Sequence, residues 1–161
     1  MSAEPTVHPS TQRVLDAARQ RGLTITVRYF PEGTRTAQDA AQAVGASLGQ
    51  IAKSMVFLAD GKAVLVLTSG PNRVDAAKVA KHLGAERVRR ASADEVHAAT
   101  GFAIGGVPPF GHTQSLPVLF DADLLQFDII WAAGGTDNAV FPIEPHRLAE
   151  ASGAVVADIK E

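Results

Sequence analysis

The sequence predicts a mixed α/β (α+β) fold, a mixed sheet or barrel with flanking helices, on three observations. Helical and strand patterns are interspersed along the chain. Several successive strand patterns lie too close together for a helical crossover between them, which argues against a purely parallel, doubly wound sheet. A length of 161 residues with 46% hydrophobic content is enough for one core without staples or metals, so a single domain, 1–161, is expected.

The elements follow in order. Ser10 is placed to cap a helix over 10–21, with Val14, Leu15 and Ala18 on one face and Gly22 as a stop. Residues 24–30 alternate as a strand, and Pro31-Glu32-Gly33 makes a turn. Thr36 opens a second helix through Val44, with Asp39 placed like the acidic member of a capping box and Gly45 as its end. Two apolar runs, 53–59 and 63–68, flank Asp60-Gly61 in hairpin fashion and read as central strands. A helix is expected over 75–83, and another opens at the capping box Ser92-Ala93-Asp94-Glu95 and ends near Gly101. Short strands at 116–120, 128–132 and 139–143 follow, then a helix and strand within 145–157. No repeat, linker or low-complexity tract interrupts this order.

Composition narrows the function classes. Lys and Arg number 15 against 17 Asp and Glu, a formal net charge of -2, so the chain lacks the global basic signature of a protein that grips duplex nucleic acid. Any RNA contact must be local. With no cysteine, disulfides, thiolate metal sites and a cysteine nucleophile are excluded together. Residues 1–10 lack a positive start followed by an apolar run, and no segment has the apolar length of a membrane span, so a cytoplasmic protein is expected. The five histidines, at 8, 82, 97, 112 and 146, show no ligand spacing, and no metal is expected.

Several constellations are able to carry chemistry. In GFAIGGVPPFGH at 101–112, glycines permit close approach of backbone to a ligand and prolines stiffen the loop. Such a loop serves either as an oxyanion or carbonyl holder or as a tight structural crossover. His112 ends it, as a ligand contact or a plain polar loop residue. Lys53 stands at the mouth of an apolar strand, placed to meet a phosphate or hydroxyl or else to snorkel to the surface. Gly134-Gly135-Thr136-Asp137-Asn138 has the donors and acceptors to orient a small substrate, though a hairpin turn needs the same residues. Arg73 has two readings, an RNA phosphate contact or a surface ion pair, and the cluster Arg87, Arg89, Arg90 is either a phosphate contact or a solvated face. Gly45-Ala-Ser47-Leu-Gly49 matches the nucleophile-elbow pattern, but that device needs a strand-to-helix turn and Ser47 follows a helix.

Taken together, Thr34-Arg-Thr36, the block IAKSMVF at 51–57, the loop 101–112 and Ala132-Ala-Gly-Gly135 resemble the YbaK/EbsC family, which includes the editing insertion of bacterial prolyl-tRNA synthetases. Four blocks in order across nearly the whole chain are more specific than any one of them. The resemblance implies a YbaK-like mixed β-barrel surrounded by helices and deacylation of mischarged tRNA, most often tRNA for proline, in trans. Carried over residue by residue, it gives catalytic roles to Lys53, at the tRNA acceptor end, and to the loop of Gly105, Gly106 and Pro109, whose backbone holds the ester carbonyl and terminal ribose. It places Gly134 and Gly135 along the aminoacyl pocket. Thr36, Arg73, Val107 and His112 are expected as further substrate contacts. The implied partners are aminoacyl-tRNA and a prolyl-tRNA synthetase, with neither DNA nor membrane and with no cofactor. Ala133 and Val140 stand where members acting on cysteinyl-tRNA carry a serine and an aspartate, so a small aliphatic residue such as alanine is the expected amino acid.

An aminoacyl ester is already activated, so its hydrolysis needs a positioned water and oxyanion stabilisation more than a strong nucleophile. The expected mechanism therefore uses backbone N–H groups of 105–109 on the carbonyl, Lys53 on the acceptor end and a ribose hydroxyl to help activate water. The rival expectation is a non-catalytic module that binds aminoacyl-tRNA or a synthetase. A serine hydrolase using Ser47 rests on the elbow match alone.

Overall fold

The first helix of the computed structural model, which describes residues 7–161, is α1, Pro9–Gln20. Residues 1–6 of the N-terminal stretch read for targeting signals lie outside the described residues. Ser10 is not its cap: His8 is, its ring Nδ1 accepting the Ser10 N–H at 3.0 Å, and Pro9 starts the helix where its missing N–H costs nothing. The helix buries Thr11, Val14, Ala17 and Ala18.

The alternation over 24–30 yields only the short strand β1, Arg28–Tyr29. Leu23, Ile25 and Val27 pack on the core without a strand beside them, so the period-two pattern records burial rather than a hydrogen-bonded ladder. Helix α2, Ala37–Val44, is capped by Thr36, whose Oγ1 accepts the Asp39 N–H at 3.0 Å, and it ends at Gly45 with φ +71°. The hairpin forms as expected from β2, Ala52–Ala59, and β3, Lys62–Ser69. Its turn residues Asp60 and Gly61 both adopt positive φ, +49° and +82°, the type I′ geometry that matches strand twist.

Helix α3, Ala76–Leu83, starts at Asp75, whose carboxylate accepts from Ala77 and Lys78. The arginine cluster supplies an unforeseen strand, β4, Val88–Arg90, which pairs with Phe57, Leu58 and Ala59 of β2. Helix α4, Ala93–Thr100, carries the full reciprocal capping box of Ser92 and Glu95. The remaining elements are β5 (Val118–Asp121), β6 (Ile130–Ala133), β7 (Ala139–Ile143), α5 (Pro145–Ala151) and β8 (Val155–Ala157).

These strands make two sheets, ordered β4-β2-β3-β5-β8 and β1-β7-β6. The β3–β5 and β5–β8 pairs are parallel and the rest antiparallel, the mixed arrangement the close strand spacing required. The expected barrel does not close. The larger sheet terminates in the three-residue strands β4 and β8, and between the sheets the described backbone makes a single bridge, Ile51 with Trp131. The main core fills the space between the layers with Val14, Leu65, Leu67, Phe120 and Phe141, while Phe57, Val66, Val79 and Ile159 form a second cluster on the other side of the large sheet. Phe102 and Phe110, both buried in the main core, fasten the two ends of the glycine-proline loop. Each such side chain contributes about 1.5–3 kcal/mol of burial free energy, so the loop is held by packing as well as by hydrogen bonds.

Candidate active site

A cavity of about 370 Å³ opens where β2 emerges from between its neighbours. β4 pairs with β2 only at residues 57–59, and Trp131 bridges it only at Ile51, so the edge of β2 at 53–55 has no strand beside it and borders the cavity. Ile51, Trp131, Ala132, Ala133 and Val140 make the apolar wall. Thr34, Arg35, Thr36 and Ala40 border it from the start of α2, Arg90, Ala91 and Val96 from β4 and α4, and Ile104, Gly105 and Val107 from the glycine-proline loop. Three cations, Arg35, Lys53 and Arg90, and no carboxylate, imidazole or thiol stand among the lining residues.

Lys53 is part-buried, and its Nζ donates to the Asn72 carbonyl at 2.9 Å. Burial pushes its pKa down from the ordinary lysine value; the positive charges of Arg90 and Arg73 act in the same direction, and Asp121 opposes them. Beside it, the Ser54 hydroxyl is buried with no hydrogen-bond partner among the described residues.

The two glycine loops meet directly. A Cβ on Gly106 would lie 2.8 Å from the Thr136 backbone, and one on Gly135 would lie 2.7 Å from the Ser10 carbonyl oxygen, so both positions are closed to any side chain. Gly106 donates to the Ala103 carbonyl at 3.0 Å, and prolines 108 and 109 have no N–H. The backbone donors left without a partner among the described residues of this segment are therefore those of Gly105 and Val107, and both residues line the cavity.

Of the residues singled out in the sequence, Lys53, Thr36, Gly105 and Val107 line the cavity, and so do Ala133, Val140 and, from the basic cluster, Arg90 but not Arg87 or Arg89. Gly106, Pro109, Gly134 and Gly135 lie behind it as buried packing positions. His112 stands apart: its Nε2 hydrogen-bonds the Pro108 carbonyl at 2.7 Å, its ring packs edge-on against Phe102, and burial lowers its pKa. Its contacts tie the loop to itself. Arg73 lines no part of the cavity; its side chain is 83% exposed, with a 3.9 Å ion pair to Glu161. Ser47 is also outside the cavity, its N–H and hydroxyl both donating to Gln50 Oε1 at 3.0 and 3.2 Å, consistent with a chance elbow match. Sequence reasoning gave no role to Arg35 and Ser54, which lie inside the quoted blocks 34–36 and 51–57, or to Trp131, which precedes the block 132–135.

A family model described as an aminoacyl-tRNA editing domain matches residues 31–151. A solved structure of a candidate trans-editing enzyme for prolyl tRNA synthetase superposes with a TM-score of 0.91 at 48% identity, covering 97% of this chain and 99% of that one. The uncharacterised protein YwhH of Bacillus subtilis is 34% identical over 127 residues, 78% of this chain and 80% of that protein. The proline-tRNA ligase of Limosilactobacillus fermentum is 36% identical over 111 residues, 66% of this chain but 19% of the ligase, so the shared part is a small portion of that enzyme. On the match over 31–151 and these relatives, the chain belongs to the aminoacyl-tRNA editing domain family.

Proposed function

We propose that this chain, acting in trans as one unit in the cytoplasm, hydrolyses the ester between a small amino acid and the terminal ribose of a mischarged tRNA, with tRNA for proline carrying alanine as the leading substrate. The cavity carries this reading: Ala132, Ala133 and Val140 on its apolar wall, backbone N–H groups at Gly105 and Val107 without a partner among the described residues, and Lys53 in its lining. The amino-acid side chain lies against Ala132, Ala133 and Val140, and the ester carbonyl faces the Gly105 and Val107 N–H groups. Lys53 holds the acceptor end. Water adds to the carbonyl carbon, the N–H pair stabilises the oxyanion, and the ribose oxygen leaves with a proton, giving free amino acid and tRNA.

No carboxylate or imidazole lines the cavity, so the water is activated by the neighbouring ribose hydroxyl rather than by a protein base. The same observation favours the second reading, a module that binds aminoacyl-tRNA or a synthetase without turnover. The two separate on release of labelled amino acid from tRNA for proline charged with proline, alanine, cysteine, serine or 2-aminobutyrate. Catalytic release confined to a small-residue ester supports the deacylase; tRNA retained without release from any of the five supports the binding module.

A further inference from the structure

The acceptor that holds Lys53 is itself held by an unusual set of contacts. Asn72 follows β3 in a turn closed by its own N–H on the Ser69 carbonyl at 2.9 Å. Its side-chain Nδ2 donates to two carboxylates at once, Asp121 Oδ2 and Asp123 Oδ2, each at 2.8 Å. Asp121, at the end of β5, is 1% exposed, and it also accepts the Ser69 N–H and the Asp123 N–H, both at 3.0 Å. Lys160 ties Asp123 from the outside at 2.6 Å. On the opposite side the turn is wedged: Gly70 lies so close to the Leu48 carbonyl that no Cβ would fit, and Ser69 Oγ donates to the Gly49 carbonyl at 2.7 Å.

A plain turn needs none of this. Burying a carboxylate is unfavourable unless its oxygens are satisfied, and a satisfied buried network fixes the groups it joins. Here the group it fixes is the Asn72 carbonyl, which receives the Lys53 ammonium at 2.9 Å. The charged groups acting on that ammonium are Asp121 from β5, which favours it, and Arg90 from β4 and Arg73 from the same turn, which oppose it.

We infer that Asn72 is a positioning residue for the reaction: anchored by Asp121 and Asp123, its backbone carbonyl sets the Lys53 ammonium at the cavity wall. The inference rests on the reading that Lys53 serves the editing reaction, but its geometric half does not depend on turnover. Truncating Asn72 leaves the carbonyl in the chain and removes what fixes it. Loss of that acceptor frees the amine and favours its neutral form, so Lys53 becomes more reactive toward an acylating reagent.

The test is site-resolved acetylation of the full chain with an N-hydroxysuccinimide ester, read by peptide mass spectrometry with exposed Lys62 as internal reference, alongside single-turnover deacylation. In Asn72→Ala, Lys53 labelling should rise severalfold relative to Lys62, and the deacylation rate should fall severalfold with little change in the tRNA concentration giving half-maximal rate. Lys160→Gln, which removes the ammonium bonded to Asp123 and leaves Asn72 and Asp121 in place, should move both readouts the same way by less, and it decides the matter if Asn72→Ala does not fold. Unchanged Lys53 labelling in folded variants would overturn the inference, as would increased labelling with an unchanged deacylation rate. If the unaltered protein releases no amino acid, the deacylase reading fails by itself and the labelling alone decides whether Asn72 positions Lys53.

Discussion

Replacing Gly106 with alanine tests whether the two glycine loops form one rigid wall behind the cavity. The added methyl would sit 2.8 Å from both Cα and C of Thr136 and 2.9 Å from its N, all backbone atoms. Thr136 has nowhere to retreat. Its loop is pinned by the Gly134 N–H on Ala139 at 2.8 Å, the Thr34 N–H on Asp137 at 2.6 Å and the Phe30 N–H on Asn138 at 2.8 Å, while Gly135 rests against the Ser10 backbone. Gly106 has an ordinary φ, so the penalty is steric and not conformational. Overpacking a rigid contact costs about 1–3 kcal/mol. For a chain of this size that is a fall in Tm of roughly 2–12 °C by circular dichroism. Deacylation should fall too, because the displaced loop carries Gly105 and Val107 out of register with the cavity. A Tm within about 1 °C of the parent would mean that the loops yield freely, and the rigid-wall argument would be refuted.

Two further outcomes are expected. Glu95 is held at about 2, far below its ordinary 4.5, first by the Arg89 guanidinium and then by the Ser92 N–H. A carboxyl lowered in the folded state contributes stability above its unfolded pKa and loses it as pH falls through the folded value, so Glu95→Gln should flatten the acid limb of the urea midpoint between pH 4.5 and about 2. Parallel limbs for variant and parent would contradict it. Arg35→Gln and Arg90→Gln, which remove cations at the cavity that have no acidic partner among the described residues, should each weaken binding of an RNA with the single-stranded 3′ acceptor end and lower its log–log salt slope by roughly 0.7, the value for one single-strand phosphate contact. Fluorescence anisotropy across a potassium chloride series reads both.

The parts of the fold legible in the sequence were those specified locally. Thr36 and the Ser92–Glu95 pair cap helices because their side chains reach N–H groups within three residues, and Asp60-Gly61 makes its turn from its own backbone preferences. The resemblance to the editing family, drawn from four short blocks, is borne out by the family match over 31–151. What was not legible depends on partners distant in the chain. Residues 24–30 alternate like a strand, yet only Arg28 and Tyr29 enter a ladder; barrel closure turns on whether sheet edges meet, which no local pattern encodes. Within the site, Lys53 and Gly105 were recognisable by residue type. Gly106 and Gly135 have no room for a side chain where loop meets loop and loop meets helix, contacts that join residues about thirty and more than a hundred positions apart. Arg73 and His112 share the loops of the site while pointing to Glu161 and Pro108. Asp121 could not be told from an ordinary strand-end acid until its contacts with Ser69 and Asn72, about fifty residues earlier, were visible.

The central claim is that the cavity beside Lys53 is where an aminoacyl ester is hydrolysed, and the most direct measurement is single-turnover release of labelled alanine from tRNA for proline by the parent chain and by Lys53→Ala. The account predicts rapid release by the parent and a sharp loss in a variant whose Tm is unchanged. Full activity in Lys53→Ala would contradict it.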